Sequence, residues 1–202
     1  MHKRLALFGS GRGSNGEALY RAMESGHING KIVLIISDRP DAGIVYKGYA
    51  WHIPVQVVDP TNYGNGEAWT QAMLDILQEY EVDGILLAGY MRILLPTFVQ
   101  AYRGKILNIH PSLLPSFTGL QAQKQALLKG VKYTGCTVHF VDEGVDTGPI
   151  IAQAVVPVHE DDTVDTLSKR ILHGEHRIYP EAVRLFCDDA LEIVGSRVVV
   201  RE

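Results

Sequence analysis

Leu5-Ala6-Leu7-Phe8-Gly9-Ser10-Gly11-Arg12-Gly13-Ser14-Asn15-Gly16 passes from an apolar strand through a glycine-rich turn into the start of a helix. Glycines let the backbone approach an anion closely, and free amides at a helix start attract negative charge, so the segment reads as a phosphate-binding turn. Outward from it, Ile32 to Ile36, Val55 to Val58, Ile85 to Ala88 and Ile106 to Ile109 are further short, near-continuous apolar runs. Such runs belong to strands covered on both faces. Helical periodicity intervenes, most clearly from Glu67 to Tyr80, where Trp69, Ala72, Met73, Ile76, Leu77 and Tyr80 share one stripe. The alternation predicts an α/β fold: a doubly wound, mostly parallel sheet with a Rossmann-like N-terminal half. Sheets of that kind bind ligands outside the carboxyl ends of their strands.

The chain has 202 residues, 46% of them hydrophobic, enough for one sizeable core and few for two. Residues 1–202 are therefore read as a single domain, with a nucleotide-binding half over 1–110 and a second part over 111–202. The second part carries a helix from Leu120 to Lys129, then two longer strands, Tyr133 to Val141 and Ile150 to Val158. A long helix follows, capped by Asp162 or Thr163, with Val164, Leu167, Ile171 and Ile178 on its buried stripe. Glu175 falls on the same stripe, and a carboxylate there needs either a basic side chain or a polar ligand as partner. The C-terminal segment reads as a hairpin, Leu191 to Val194 and Arg197 to Val200, turning at Gly195-Ser196.

Formal charge is −4, and the adjacent basic pairs are confined to Lys3-Arg4 and Lys169-Arg170. No phosphate-tracking stripe exists, so small-molecule substrates are expected and nucleic acid is not. No apolar stretch approaches a membrane span, and the run after Arg4 is too short for a signal-peptide core. A cytoplasmic enzyme is expected, as a monomer or homodimer. Cys136 and Cys187 are too few for a disulfide framework and read as small buried hydrophobes.

Chemistry concentrates in Ile106-Leu107-Asn108-Ile109-His110-Pro111-Ser112-Leu113-Leu114-Pro115. On a strand the side-chain period is two, so Asn108 and His110 share a face with Cα atoms roughly 6.6 Å apart. Pro111 holds His110 extended, which aims the imidazole from a stiff backbone. An amide donor beside an imidazole that can hold or give a proton suits acyl or formyl transfer. Farther along, Val141-Asp142-Glu143-Gly144-Val145-Asp146-Thr147-Gly148 sets Asp146 between glycines that let the chain bend and present its carboxylate inward. Against His110 that carboxylate would orient the ring and favour its charged form. Two other chemistries compete. Gly11, Gly13 and Gly16 satisfy dinucleotide spacing, with Asp38 about 20 residues on where a ribose-binding acid belongs, which would suit an NAD-dependent oxidoreductase. His110, His139, Asp142 and Asp146 could instead be metal ligands of a hydrolase. Helical His pairs at metal spacing are absent, so no metal is expected and His139 reads as a supporting polar residue. A ligand-binding domain without catalysis is a further alternative.

Taken together, Gly13-Ser14-Asn15, Ala88-Gly89-Tyr90-Met91-Arg92-Ile93-Leu94, the Asn108-to-Pro115 run, Gly135 through Pro149 and Glu175-His176 resemble the phosphoribosylglycinamide formyltransferases, folate-dependent enzymes of purine synthesis. The resemblance implies formyl transfer from 10-formyltetrahydrofolate, as cosubstrate, to the amine of glycinamide ribonucleotide. It implies Asn108, His110 and Asp146 as the catalytic trio, and Gly13, Ser14, Asn15 and Glu175 as substrate-binding. Met91, Arg92, Ile93, Leu94, Asn108, Val141 and Asp142 would line the folate pocket. Methionyl-tRNA formyltransferase and formyltetrahydrofolate hydrolase are similar around the same loop, but Pro111 and the absence of their added domains point away from both. The sequence departs from the family pattern at Gly66, where arginine is frequent, at Leu172, at Gly16, and at Gln121 and Gln123, where histidines are common.

Overall fold

A computed structural model describes residues 2–201. Its centre is one nine-stranded sheet in the order β3-β2-β1-β4-β5-β6-β7-β9-β8. The strands are β1 Lys3–Phe8, β2 Gly30–Ser37, β3 Val55–Val57, β4 Gly84–Leu87, β5 Ile106–His110, β6 Tyr133–Phe140, β7 Ile150–Pro157, β8 Leu191–Val194 and β9 Arg197–Val200. The first five run parallel. Then β6 pairs antiparallel with β5 and β7 antiparallel with β6, while β9 meets β7 in parallel and closes a hairpin with β8. The helices are α1 Ser14–Glu24, α2 Gly43–Ala50, α3 Gly66–Glu79, α4 Pro96–Ala101, α5 Ala122–Lys129 and α6 Val164–Cys187.

The period of two along the strands divides the core into two layers. Leu5 and Leu7 of β1 face one side, with Leu107 and Ile109 of β5 and with Leu19, Ile44, Leu167 and Ile171 from α1, α2 and α6. Ala6 and Phe8 face the other, with Ile106 and with Trp69, Met73, Leu77 and Phe98 from α3 and α4. Both sides of the parallel strands are therefore covered, which explains their continuous apolar runs. Tyr179 of α6 is fully buried, and its hydroxyl lies 2.8 Å from the Leu87 carbonyl and 3.1 Å from that of Leu107, joining the helix to β4 and β5.

The chain steps outward from β1 through β2 to β3 and then crosses back to β4 on the far side of β1, so a crevice opens between the carboxyl ends of β1 and β4. Three expected details differ. The helix expected from Leu120 begins at Ala122, because Gln121 adopts a left-handed backbone with φ 56°. Val164 is exposed rather than buried, since it is the first residue of α6, beside the Thr163 cap. Ile178 is only partly buried, whereas Leu167 and Ile171 are fully so. Cys136 and Cys187 are both buried, and burial pushes each thiol up to about 12. Among the described residues no helix is long and apolar enough to cross a membrane.

Candidate active site

Strand β5 delivers Asn108 and His110 to the crevice, and β6 runs beside it with His139 in register opposite Asn108. His110 is 5% exposed. Its Nε2 lies 2.8 Å from the carbonyl oxygen of Phe117, and because a carbonyl only accepts, Nε2 carries a proton. Its Nδ1 stands 3.4 Å from Oδ2 of Asp146, within ion-pair range. Acceptors thus flank both ring nitrogens.

Asp146 reaches His110 because its own backbone is left-handed, with φ 55°. The neighbouring Gly148 lets the loop lie against β6: a Cβ there would stand 1.8 Å from the Phe140 carbonyl oxygen. Oδ2 of Asp146 accepts from the Gly119 amide at 2.7 Å, and Oδ1 is 3.9 Å from Nε2 of His139. Asn108 is held in turn, its Nδ2 lying 3.3 Å from the same His139 nitrogen. The expected trio converges, and His139 supports it from the adjacent strand. His139 Nδ1 donates to the Phe140 carbonyl at 2.9 Å, and burial lowers the pKa of the ring.

At the other side of the crevice, Gly13 adopts φ +78° to turn β1 into α1, which starts at Ser14. Asn15 lines the cleft; Gly13 and Ser14 do not. Nδ2 of Asn15 donates to Oε2 of Glu175 at 2.7 Å. The expected partner of Glu175 was a cation or a ligand; within the chain it is a neutral amide, and burial raises the carboxyl pKa against the opposing influence of that bond. Oδ1 of Asn15 is buried without a hydrogen-bond partner in the chain. A donor group from a bound molecule would satisfy it.

Asn15, Asn108, His110, His139, Asp146 and Glu175 line one cleft of about 420 Å³. Met91, Arg92, Ile93, Leu94, Val141 and Asp142 form part of its lining. Met91 and Ile93 are 61% and 74% exposed, so they are free to meet a ligand instead of filling the core. Asp142 shapes its own loop, accepting from the Gly144 amide at 3.1 Å and the Thr147 hydroxyl at 2.6 Å. Gly119 to Gln121 with Gln123 also line the cleft; of these only Gln121 and Gln123 were marked in the sequence, as departures from the family pattern and not as site residues. Gly119, at φ +74°, gives the amide that holds Asp146. Gly66 and Leu172 are outside the lining.

Asp38 does not serve a ribose. It is 2% exposed and accepts from Nε of Arg92 at 2.7 Å, so the dinucleotide pattern lacks its acid. Gly16 is explained by packing, since a Cβ there would meet Leu7 and Ile44 below 3.0 Å. Among the described residues, no group of three or more His, Cys, Asp or Glu side chains is gathered to hold a metal ion.

Known proteins are similar to this chain in sequence and in fold. A family model described as formyl transferase matches residues 3–183. Phosphoribosylglycinamide formyltransferase of Bacillus subtilis (strain 168) is 46% identical over 182 residues, covering 90% of this chain and 93% of its own length. The trifunctional purine biosynthetic protein adenosine-3 of Gallus gallus is 45% identical over 94% of this chain, which spans 19% of that larger protein. Among solved structures, glycinamide ribonucleotide transformylase 1 from Symbiobacterium toebii matches with a TM-score of 0.97 at 48% identity, covering 100% of this chain and 95% of its own. A formyltetrahydrofolate deformylase from Pseudomonas syringae pv. tomato matches with a TM-score of 0.91 at 30% identity, over 100% of this chain and 67% of its own.

Proposed function

The chain belongs to the formyl transferase family, and from that premise we propose that it is an enzyme of purine biosynthesis that moves a formyl group from 10-formyltetrahydrofolate to the amine of glycinamide ribonucleotide. The observation that carries this reading is the convergence of Asn108, His110 and Asp146 in a cleft that Asn15 and Glu175 also line.

The substrate amine attacks the formyl carbon, and a tetrahedral intermediate forms with its charge on the former carbonyl oxygen. Asn108 offers that oxygen the amide N–H not directed at His139. The His110 ring is anchored at Nε2 by the Phe117 carbonyl, which leaves the Nδ1 proton between Asp146 and the cleft to serve the same oxygen. Asp146 orients the ring and takes part in moving a proton from the attacking amine to the folate nitrogen as the bond from that nitrogen to the formyl carbon breaks. Glu175 and the unpartnered Oδ1 of Asn15 present acceptors to the amine, amide or hydroxyl donors of the ribonucleotide. The glycine turn before α1 supplies backbone amides for its phosphate. A flat heterocycle suits the wall made by Met91 to Leu94 and Val141, which combines apolar side chains with the exposed backbone of an irregular segment.

The deformylase likeness makes hydrolysis the informative competitor, since water in place of the amine would release free folate. An absorbance assay for folate product, run with both substrates, without the amine, and with EDTA, separates the outcomes. Product is expected only when both substrates are present, and at an unchanged rate with the chelator. Amine-independent release would assign a hydrolase instead.

A further inference from the structure

Asp38 directly follows β2 and is 2% exposed, and none of the chemistry above uses it. Its Oδ2 accepts from Arg92 Nε at 2.7 Å, and its Oδ1 is buried with no hydrogen-bond partner. Arg92 belongs to Tyr90–Leu95, a stretch that forms neither helix nor strand, yet supplies one wall of the cleft. Without a regular backbone ladder, such a stretch is placed by its tethers. Two reach it from the neighbouring strand ends: the Met91 amide donates to the Ser10 hydroxyl at 2.9 Å, and Arg92 is held by Asp38. The second is the more restrictive, because a carboxylate withdrawn from water is costly unless its cation stays beside it. The 44% exposed Arg92 side chain is thereby fixed to one place at the rim, and with it the direction of Met91 and Ile93.

We propose that Asp38 is a positioning residue for the formyl donor: acting through Arg92, it fixes the Met91–Leu94 wall against which the flat ring of the folate is held. The inference rests on the reading of that wall as the donor subsite. Asp38 touches no reacting atom, so its loss acts on donor binding and leaves the proton-transfer groups in place.

The test compares Asp38→Asn, Arg92→Gln and the double variant by steady-state kinetics with each substrate varied, and by amide hydrogen exchange over Tyr90–Leu95 in the free enzyme. For Asp38→Asn the donor KM is expected to rise about tenfold, with kcat and the amine KM within about twofold of wild type. Arg92→Gln is expected to raise the donor KM comparably, and the double variant no further than Arg92→Gln alone, because one residue acts through the other. Exchange over Tyr90–Leu95 is expected to quicken in all three. An equal rise in both KM values, multiplication of the two single effects, or unchanged exchange would overturn the proposal. Should Asp38→Asn fail to fold, Arg92→Gln carries the same expectation at a half-exposed side chain, and an unchanged donor KM there overturns it. Turnover by the wild-type enzyme tests the reaction itself, while the exchange comparison reads the tether whether or not that turnover is seen.

Discussion

The imidazole of His139 sets the direction of the Asn108 amide: Nε2 of the ring lies 3.3 Å from Nδ2 of the amide, and Nδ1 donates to the Phe140 carbonyl. Burial, the largest influence on the ring, lowers its pKa and keeps it neutral, so Nε2 is an acceptor and the amide must turn its N–H groups towards it. One N–H is then left for an oxyanion in the cleft.

Replacing His139 with Leu frees that amide to rotate and to present its oxygen instead. His139→Leu is expected to lower kcat about tenfold, less than the 10² to 10³ expected from Asn108→Ala, which deletes an oxyanion donor outright. In the Asn108→Ala background the His139 substitution has little left to remove. Steady-state kinetics on both singles and the double variant decide the point, and a further full tenfold loss in the double would give His139 a role independent of Asn108.

Asp146→Asn keeps an acceptor for the Gly119 amide but removes the charge 3.4 Å from His110 Nδ1. Turnover is expected to fall by about 10²-fold, the scale of a general acid-base group, with folding preserved by circular dichroism. A variant within about threefold of wild type would take Asp146 out of the proposed proton handling.

How far the sequence was legible follows from the range of the interactions concerned. The apolar runs of β1, β2, β4 and β5, the Thr163 cap and the C-terminal hairpin are local patterns, and they stand where expected. Asn108 and His110 were readable because the strand period places them without any partner being known. Asp146 was readable through its flanking glycines, although the left-handed turn is made by Asp146 itself. What escaped was contact between distant segments: the Phe117 carbonyl on His110, the Gly119 amide on Asp146, and Arg92 on Asp38, whose partners are separated by 7, 27 and 54 positions. Periodicity carries no information about such pairings. Asp38 shows the consequence, since its spacing from the glycine turn suggested a ribose acid, while the fold uses it to hold a loop.

Glu175 gives a prediction in pH. Burial raises its pKa above the ordinary 4.5, and the Asn15 bond opposes this only in part, so the folded chain holds the proton to higher pH than the unfolded chain does. Stability from this group is therefore full below about 4.5 and is lost as pH rises through the higher folded value. Glu175→Gln mimics the protonated form. It is expected to melt above wild type at pH 7–8 and to match wild type near pH 4. The same substitution is expected to raise the KM of the amine substrate about tenfold, because the carboxylate proposed to meet the ribonucleotide is lost. Thermal melts across pH check the first effect, and a lower melting temperature at pH 8 would contradict it.

Gly148 and Gly11 test whether the Asp146 loop is placed by backbone contact. A Cβ at Gly148 would stand 1.8 Å from the Phe140 carbonyl oxygen, closer than any side-chain adjustment could relieve, so the loop must move off β6 and carry Asp146 with it. Gly148→Ala is expected to cost more than about 3 kcal/mol, roughly 6–12 °C in Tm, and to lower kcat in the correctly folded fraction. Gly11 lies in the other glycine-rich turn, where an added Cβ meets nothing within 4 Å. Gly11→Ala is expected to leave Tm within about 2 °C. Melting curves of the two variants settle the comparison: equal losses would mean that glycine flexibility, not the close approach at Gly148, is what the fold requires.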